Sequence, residues 1–354
     1  MWRKFFKGLS QSIAIDLGTS HVLVYLPGEG TVIFEPSVVA VNTRSGQVLA
    51  VGEGAKKMIG RTPPQIMVTR PLVAGVISDF EVTERMVKYF LEKIRTEHGL
   101  GHGRVRIVLG VPLNITEVER KAIEDAARNA GAREVLLVEE PLVAALGARL
   151  PLAESTGQLV IDLGGGTTEI AVMSLSGIVT SRSLKVAGDE VDHSINTYVR
   201  EHFNLLLGER SAEEVKIKIG SLFSENPEPE MVVRGRDLVS GLPKEIILRA
   251  QDIRPAVLRP LQIIAEAVRD VLEATPPELV ADIQARGMTL VGGMALLRGL
   301  EEFLSAEVRI PVHIAEDPVT AVGRGLGFLL ENPELLRDLA LPAGVEGEVM
   351  AAKF

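Results

Sequence analysis

The chain contains no cysteine among its 354 residues, which excludes disulfide bonds and metal sites built from thiolates. Aromatic residues make up only 4% of the sequence, so the hydrophobic core is predicted to be aliphatic. No apolar run reaches the roughly 20 residues that a helix needs to cross a bilayer. The first apolar stretch is short and soon meets Asp16, so it lacks the form of a secretory signal. These absences together predict a cytoplasmic protein.

Positive charge is also scarce. Lys and Arg number 38 against 47 for Asp and Glu, which gives a formal net charge of −9. A nucleic-acid-binding protein needs a basic surface, so this balance argues against nucleic acid as a partner. The chain is otherwise 46% hydrophobic and 24% charged, as in ordinary globular proteins. Its length is sufficient for two domains, each with its own core.

The first ten residues depart from this acidic average, because they carry three basic residues and no acidic one. Large apolar side chains recur there at the i, i+3, i+4, i+7 spacing of one helix face. The apolar face consists of Trp2, Phe5, Phe6 and Leu9, and the basic residues are Arg3, Lys4 and Lys7. An apolar stripe with basic flanks is typical of a helix that lies in a membrane interface. The alternative is a terminus that frays or packs onto the domain.

Two segments of the sequence repeat one pattern. Residues 13–25 read I-A-I-D-L-G-T-S-H-V-L-V-Y, and residues 159–172 read L-V-I-D-L-G-G-G-T-T-E-I-A-V. Each predicts a strand, a tight turn and a returning strand, so we expect a duplicated domain. Two such turns facing each other are suited to hold a polyphosphate through backbone N–H groups, with Asp16 and Asp162 on a hydrated Mg²⁺. Taken singly, each copy also fits an ordinary hairpin turn, and neither has the P-loop or the dinucleotide-binding pattern.

Strands and helices are predicted to alternate after each repeat, which indicates two α/β halves. In the first half we expect a helix at 79–98, a strand at 105–111, a helix opened by a capping box of Thr116 and Glu119, a strand at 135–138, and an Ala-rich helix after Glu139-Glu140-Pro141. In the second half we expect helices at 190–207, 211–222 and 255–274, a further helix capped by Thr275-Pro276-Pro277, strands within 231–249, and a strand at 288–293.

Gly292-Gly293-Met294-Ala295 follows the last of these strands, at the sheet edge where the ligands of α/β proteins bind. Backbone without a Cβ can lie flat against a nucleotide base or ribose. An ordinary strand-to-helix turn is the alternative. Gly323, Gly325 and Gly327 fall within one helical stretch, and their low helix propensity predicts close packing or a close approach of backbone there.

These motifs together resemble those of the actin and sugar-kinase superfamily of ATPases. The two phosphate motifs of that superfamily are similar to I-D-L-G-T at 15–19 and D-L-G-G-G-T-T-E at 162–169, its adenosine motif to L-V-G-G-M-A-L-L at 290–297, and its two connecting helices to residues 108–131 and 317–327. Within the superfamily the likeness is to the MreB family of bacterial actins, through E-E-P at 139–141, V-A-G-D-E at 186–190, G-E-R-S-A-E-E-V-K-I-K-I-G at 208–220, G-R-D-L-V-S-G-L-P-K at 235–244 and T-P-P-E-L-V-A-D-I at 275–283. It covers about residues 12–330.

The resemblance implies an α/β, actin-like fold of two duplicated domains with ribonuclease H-like cores, two smaller inserted subdomains and a nucleotide cleft between the domains. The implied boundaries are 1–11 for an amphipathic membrane helix, 12–39, 74–152 and 323–354 for subdomain IA, 40–73 for IB, 153–189 and 254–322 for IIA, and 190–253 for IIB. It also implies an ATPase that uses ATP and Mg²⁺ and polymerises into antiparallel double filaments. These filaments would lie on the inner face of the cell membrane and direct cell-wall synthesis and rod shape, with membrane proteins of the MreC, MreD and RodZ type as partners.

Site residues are carried over from the family by position. Glu140 would orient the attacking water, with Thr167 beside it and Asp162 as a further catalytic residue. Asp16 and Asp162 would anchor Mg²⁺ through water. The nucleotide would be held by Asp16, Gly18, Thr19, Ser20, His21, Gly164, Gly165, Gly166, Ala212, Glu213, Glu214, Val215, Lys216, Gly292, Gly293, Met294 and Ala295. Leu100 would join Trp2, Phe5, Phe6 and Leu9 at the membrane.

Some of these positions allow another interpretation. Glu139 and Glu140 also fit a pair of acids favoured by a helix N-terminus, with Pro141 at the first helical position. The family usually has Ala-Asn where Ser20-His21 stand and Gly where Met294 stands, which bears on nucleotide affinity and hydrolysis rate.

A chaperone ATPase of the DnaK class and a small-molecule kinase of the same superfamily are the competing functions. The first would need an added substrate-binding domain, and the second would need a base for the acceptor hydroxyl.

Overall fold

The computed structural model describes residues 12–99, 105–224 and 227–342. Its strands are β1 (Ser12–Leu17), β2 (His21–Leu26), β3 (Gly30–Pro36), β4 (Val39–Asn42), β5 (Val48–Val51), β6 (Ile66–Thr69), β7 (Leu72–Val73), β8 (Val76–Ile77), β9 (Val105–Val111), β10 (Ala132–Glu139), β11 (Gln158–Leu163), β12 (Thr168–Ser174), β13 (Gly177–Leu184), β14 (Leu205–Leu206), β15 (Glu230–Asp237), β16 (Pro243–Arg249), β17 (Met288–Val291) and β18 (Val312–Ile314). Its α-helices are α1 (Glu53–Lys56), α2 (Phe80–Glu97), α3 (Glu117–Asn129), α4 (Glu140–Gly147), α5 (Gly188–Phe203), α6 (Glu209–Ile219), α7 (Ala250–Glu273), α8 (Pro277–Arg286), α9 (Leu300–Val308), α10 (Ala321–Glu331) and α11 (Pro333–Leu339).

The first repeat forms the centre of a five-stranded sheet. Strands β1 and β2 pair in antiparallel fashion, with Asp16 opposite Leu23, and β3 continues the hairpin. Strands β9 and β10 lie on the other side of β1 and run parallel to it, which gives the order β10-β9-β1-β2-β3. Helices α2 and α3 supply the connections that parallel pairing requires.

The second repeat builds the same arrangement again. Strands β11 and β12 form the hairpin, with Asp162 opposite Glu169, and β17 and β18 run parallel to β11. The strand order is β13-β12-β11-β17-β18, which matches that of the first sheet strand for strand. The duplicated α/β fold predicted from the repeat is therefore confirmed.

One core cluster joins the two sheets. It contains buried residues from both central strands, Ala14 and Val160, and from two helices, represented by Val143 of α4 and Leu326 of α10. Helix α4 is apolar on nearly every face, as its sequence E-P-L-V-A-A-L-G shows, and such a helix is stable only when it is surrounded by protein. Helices α4 and α10 therefore lie between the two halves and connect them.

Glycines let these two helices cross with their backbones in contact. A Cβ at Gly147 would overlap the carbonyl oxygen of Ala321, and a Cβ at Gly325 would overlap that of Val143. Arg324 adds a side-chain hydrogen bond to the carbonyl oxygen of Gly147, at 3.0 Å. The prediction for the glycines of residues 323–327 is confirmed, since Gly325 lies against the backbone of Val143, and Gly323 and Gly327 pack closely against the side chains of Leu23 and Tyr25.

The prediction that residues 108–131 form a connecting helix is wrong. They comprise most of β9 and all of α3, and α3 packs against α2. The outer face of α3 carries the ion pair Lys121–Asp125, and its other face buries Ile123 and Ala127, so this helix is amphipathic and covers only one side of a sheet. The helix that crosses α10 is α4, because its all-round apolar surface can be buried between two sheets.

We expect Gly325→Ala to destabilise the protein by about 1–3 kcal/mol, since the added methyl group meets a backbone oxygen that cannot rotate away. Thermal denaturation followed by far-UV circular dichroism measures the effect. Gly54→Ala in α1 is the matched control, because its Cβ would make only an ordinary contact of 3.5 Å with Ala50. Equal melting temperatures for the two variants would show that α4 and α10 do not touch at this point.

The remaining strands form smaller sheets of order β5-β4-β6, β14-β15-β16 and β7-β8. The helix predicted over 190–207 ends earlier, at Phe203, because Asn204 adopts a left-handed conformation (φ 49°) and Leu205–Leu206 pair with β15. Thr275 does not cap α8, since its hydroxyl donates to the carbonyl oxygen of Val271.

Two helix starts are observed as predicted, with Asp79 capping α2 and the capping box of Thr116 and Glu119 opening α3. Helix α7 begins earlier than the predicted residue 255, at Ala250. Across the described ranges, the helices are too short or too polar to cross a bilayer.

Candidate functional site

The two glycine turns lie against each other at the bottom of a cleft between the two halves. The first turn joins β1 to β2 through Gly18, Thr19 and Ser20, and the second joins β11 to β12. A Cβ at Gly165 would overlap the Ser20 hydroxyl, and a Cβ at Gly166 would overlap the Thr19 hydroxyl. Only glycine therefore allows the second turn to approach the first this closely.

Neighbouring segments hold the first turn in place. The Ser37 hydroxyl donates to the carbonyl oxygen of Gly18 at 2.5 Å, and the Ser37 N–H donates to that of Ser20 at 2.9 Å. The Gly75 N–H donates to the Thr19 hydroxyl at 3.0 Å. These bonds fix the backbone of the turn before any ligand arrives, as a preformed anion site requires.

The second turn is held by the start of α5. The N–H groups of Gly188 and Asp189 donate to the carbonyl oxygens of Gly164 and Gly165, at 3.2 and 2.8 Å. The turn is closed by a bond of 3.0 Å from the Gly164 N–H to the carbonyl oxygen of Thr167. The carbonyl oxygens of this turn are thus engaged on the side away from the first turn.

Three carboxyl groups line the cleft beside the glycine turns. Asp16 and Asp162 lie near the ends of β1 and β11, and Glu140 opens α4 directly after β10. Burial, followed by the nearby charge of Asp162, raises the pKa of Asp16 to about 7, and burial raises the pKa of Asp162 to about 6. Burial together with the charges of Asp16, Asp162 and Glu169 raises the pKa of Glu140 well above its usual range. The cleft therefore concentrates acids whose ionised forms require a cation.

Glu169 is a fourth acid of this cluster that the sequence analysis did not assign. It is almost fully buried, and it accepts hydrogen bonds from the Ser183 hydroxyl at 2.7 Å and the Leu113 N–H at 3.3 Å. Burial raises its pKa to about 7 although both hydrogen bonds oppose that shift. Glu169 pairs opposite Asp162 in the hairpin, and this pairing could have predicted that it joins the acid cluster.

The predicted Mg²⁺ site fits this chemistry. Asp16 and Asp162 offer hard oxygen ligands, and Mg²⁺ commonly takes one or two carboxylates and fills the rest of its shell with water and phosphate oxygens. In the part of the chain that the structure describes, no three His, Cys, Asp or Glu side chains form a ready-made metal cage.

The opposite wall of the cleft comes from α6 and the turn after β17. Glu213 and Lys216 reach the cleft from α6, and Gly292, Gly293 and Met294 reach it from the turn. The Lys216 ammonium group donates to the carbonyl oxygen of Gly188 and to Asp192, both at 2.9 Å, which fixes α6 against α5. The enclosed volume is about 390 Å³, within the range of small-molecule sites.

Four residues predicted to hold the nucleotide do not line this cleft. Ala212 and Val215 are buried on the inner face of α6, and Ala295 is buried in the core of the second half. Glu214 lies on the outer face of α6, where it pairs with Arg210 and Lys218. The sequence analysis assigned every residue from 212 to 216 to the nucleotide. These residues lie on α6, and a helix of 3.6 residues per turn presents only some of them to the cleft.

The other predicted cleft residues are brought together. The cleft wall contains Asp16, Gly18, Thr19, Ser20, His21, Glu140, Asp162, Gly164, Gly165, Gly166, Thr167, Glu213, Lys216, Gly292, Gly293 and Met294. The residues predicted to contact the membrane, Trp2, Phe5, Phe6, Leu9 and Leu100, lie outside the described residues.

An apolar rim that the sequence analysis missed surrounds part of the cleft. Phe34, Ile217 and Leu296 line it and are exposed large hydrophobic side chains. The His21 ring stacks on Phe34, with centroids 4.7 Å apart and planes inclined by 5°. Burial, with the charge of Lys56 next, lowers the pKa of His21, so the ring faces the cleft in its neutral form. Ile217 follows Glu213 by four residues on α6, so the helical period could have predicted that both side chains face the cleft.

Two duplicated α/β domains that bring facing glycine turns and buried carboxylates to a common cleft define an actin-like protein. The chain belongs to the MreB/Mbl protein family, whose model matches residues 10–338. It is 47% identical over 327 residues to the cell shape-determining protein Mbl of Bacillus subtilis, covering 92% of this chain and 98% of Mbl. It is also 47% identical over 335 residues to the cell shape-determining protein MreB of Escherichia coli K12, covering 94% and 96% of the two chains.

Solved structures agree with this assignment. MreB5 of Spiroplasma citri, in crystal structures bound to ADP and to AMPPNP, matches the fold with a TM-score of 0.87 at 37% sequence identity. The match covers 93% of this chain and 98% of MreB5. The predicted family and the predicted actin-like fold class are confirmed.

Proposed function

We propose that this protein binds ATP with Mg²⁺ in the cleft, hydrolyses the nucleotide, and assembles with copies of itself into filaments that determine cell shape. The pair of facing glycine turns beside a cluster of buried acids is the observation that carries the proposal. Such turns suit phosphate, and such acids suit a cation that arrives with it. The MreB5 structures support nucleotide as the ligand, since that relative binds ADP and AMPPNP.

Different residues of the cleft bind the phosphates, hold the metal and align the water. Backbone N–H groups of the turns at 18–20 and 165–166 hold the phosphates, and Asp16 and Asp162 hold Mg²⁺ through water. The metal, when bound, neutralises charge on the phosphate oxygens. Glu140 accepts a hydrogen bond from the attacking water and aligns it, with Thr167 beside it. Phosphoryl transfer depends on this positioning and on charge stabilisation, and it requires no covalent nucleophile from the protein.

The nucleoside end of the ligand lies toward the second half of the protein. Glu213 and Lys216 hold the ribose from α6, and the backbone of Gly292 and Gly293 lies against the base. Met294 adds an apolar contact there, and the exposed side chains of Ile217 and Leu296 provide the flat apolar surface that a base needs.

The cellular role that we propose follows the relatives. Mbl of Bacillus subtilis and MreB of Escherichia coli are cell shape-determining proteins. By analogy, this chain forms antiparallel double filaments on the inner face of the cell membrane and directs cell-wall synthesis with membrane proteins of the MreC, MreD and RodZ type. The subdomain boundaries of the sequence analysis are the division that we propose for the filament subunit.

Sedimentation with nucleotide tests the filament function against its alternatives. The full-length protein with Mg²⁺ and ATP is expected to pellet at high speed, and the protein without nucleotide is expected to stay in the supernatant. Electron microscopy of the pellet distinguishes filaments from aggregates. A protein that binds ATP but does not pellet under any nucleotide condition would favour a chaperone-type or small-molecule kinase ATPase.

Deletion of residues 1–10 is expected to release the protein from anionic liposomes and to leave polymerisation intact. Each large apolar side chain contributes roughly 1.5–3 kcal/mol when fully buried, and each cation near anionic lipid about 1 kcal/mol, so one terminus binds weakly. A filament presents many termini at once and binds firmly. Liposome flotation with and without ATP measures this. If the truncated filament floats as well as the full-length one, the anchor lies elsewhere, and Leu100 is the next candidate.

A further inference from the structure

Ion pairs bridge the mouth of the cleft. Lys56, at the end of α1, pairs with Glu213 of α6 at 2.9 Å. Arg70, which follows β6, pairs with Asp189 of α5 at 3.1 Å and with Glu209 of α6 at 2.7 Å. These five residues are called the clasp below.

The clasp connects the two halves of the protein. Both of its cations lie in the segment between β3 and β7, which belongs to the first half of the chain. Its three acids lie on α5 and α6, after the second repeat. Partners are separated by 157 residues in the Lys56–Glu213 pair and by 119 in the Arg70–Asp189 pair. The halves also join at the crossing of α4 and α10 and where the two glycine turns meet, and none of these contacts involves a clasp residue. Breaking the clasp is therefore expected to open the mouth of the cleft and to leave both cores intact.

The Lys56–Glu213 pair also touches the site itself. Both side chains are about one-fifth exposed, and Glu213 lines the cleft. Burial alone would raise the pKa of Glu213, but the hydrogen bond and charge of Lys56, with the charges of Lys216 and Arg70, bring it below its usual range. Glu213 is therefore an oriented carboxylate at neutral pH, and Lys56 sets its orientation.

We propose that Lys56 and Arg70 are positioning residues whose ion pairs hold the cleft closed over a bound nucleotide, so that the clasp sets the rate at which nucleotide leaves. This inference rests on the proposed nucleotide function. A ligand seated between the turns lies behind the clasp, because Glu213 belongs both to the cleft wall and to the clasp. Release then requires the pairs to separate, and the filament subunit retains its nucleotide for as long as they hold.

Release of a fluorescent ATP analogue from the full-length protein tests the proposal. Protein loaded with mant-ATP and Mg²⁺ is mixed with excess ATP in a stopped-flow instrument. Arg70→Glu places three acids together and is expected to accelerate release roughly three- to tenfold. Arg70→Glu with Glu209→Arg restores an opposite-charge pair and is expected to return the rate to within about twofold of the wild type.

Two further measurements separate the clasp from a general structural effect. Lys57→Glu reverses an exposed charge next to Lys56 and is expected to leave the release rate unchanged. Raising KCl from roughly 0.05 to 0.5 M is expected to accelerate release from the wild type and to have less effect on Arg70→Glu, because salt screens the pairs. Melting curves identify any variant that does not fold, and if Arg70→Glu is one, Glu209→Arg alone makes the same test from the other side.

The possible outcomes test the clasp and the proposed nucleotide function separately. If the wild type does not bind mant-ATP, the proposed nucleotide function fails. If it binds but the folded variants release the analogue at the wild-type rate, the clasp is overturned and the function stands. If Arg70→Glu releases the analogue faster and adding Glu209→Arg does not bring the rate back toward the wild type, the clasp is also overturned, because the effect would not arise from the ion pair.

Discussion

Glu140→Gln is expected to bind ATP nearly as well as the wild type and to hydrolyse it roughly 100-fold more slowly. Glu140 lines the cleft, and its side chain packs against Gly110 of β9. A Cβ added at Gly110 would lie 3.3 Å from the Cγ of Glu140. In the proposed reaction, the carboxylate of Glu140 accepts a hydrogen bond from the attacking water and aligns it. Glutamine keeps the shape of the side chain but is neutral and a weaker acceptor, so the water is less well aligned. The loss therefore falls on the chemical step and spares ground-state binding.

Phosphate release under single-turnover conditions, together with mant-ATP titration, measures the two effects separately. Glu139→Gln is the matched control, because Glu139 is the adjacent carboxyl group but is not part of the cleft wall. It is expected to hydrolyse ATP at close to the wild-type rate. Equal losses of affinity and rate in Glu140→Gln would indicate a binding role, and equal slowing by both variants would remove Glu140 from the chemistry.

Asp162→Asn is expected to make the empty protein more stable in alkaline solution and to abolish Mg²⁺-dependent nucleotide binding. The pKa of Asp162 is raised by burial to about 6, above its usual value near 4. A raised pKa means that the folded state favours the protonated acid, so this stabilisation is present at low pH and is lost as the pH rises through about 6. Asparagine is neutral at every pH and avoids that loss, which is worth roughly 1–3 kcal/mol at pH 8.

Melting temperatures of the nucleotide-free protein between about pH 5 and pH 8 measure this effect, and mant-ATP titration with Mg²⁺ or EDTA measures the loss of binding. The melting temperature of the wild type is expected to fall across this range, and that of Asp162→Asn is expected to fall less. Asp338→Asn, at an exposed position on α11, should follow the wild type in both assays. If Asp162→Asn is less stable than the wild type at pH 8, the carboxylate serves the fold and not a cation.

Local patterns in the sequence were sufficient to predict the duplicated fold. Both hairpins carry an apolar run, an Asp-Leu-Gly turn and a second apolar run, and this pattern requires no knowledge of distant contacts. The capping box of Thr116 and Glu119 is equally local. The order of the strands in the two sheets then follows from the repeat, because the same unit folds in the same way twice.

The parts that were missed depend on contacts between distant residues. The ion pairs of Lys56 and Arg70 join residues more than 100 positions apart, and no local pattern distinguishes them from other surface charges. The connecting role was predicted for residues 108–131, which contain α3, and not for α4, because order along the chain does not determine which helix faces the other sheet. Ala212 and Val215, by contrast, could have been separated from Glu213 and Lys216 by following the helical period through that run.

The glycine crossing of α4 and α10 also determines how a small event in the cleft is transmitted. Each half has its own packed core, and the two meet closely where Gly147 and Gly325 bring the helix backbones together. Because α4 and α10 lie between the two sheets, a rotation at their crossing would turn one sheet relative to the other. A rotation of a few degrees there moves the far surfaces by roughly an ångström or two, enough to change how neighbouring subunits fit. In the proposed function, the chemistry of one phosphate group would thus change the geometry of the polymer.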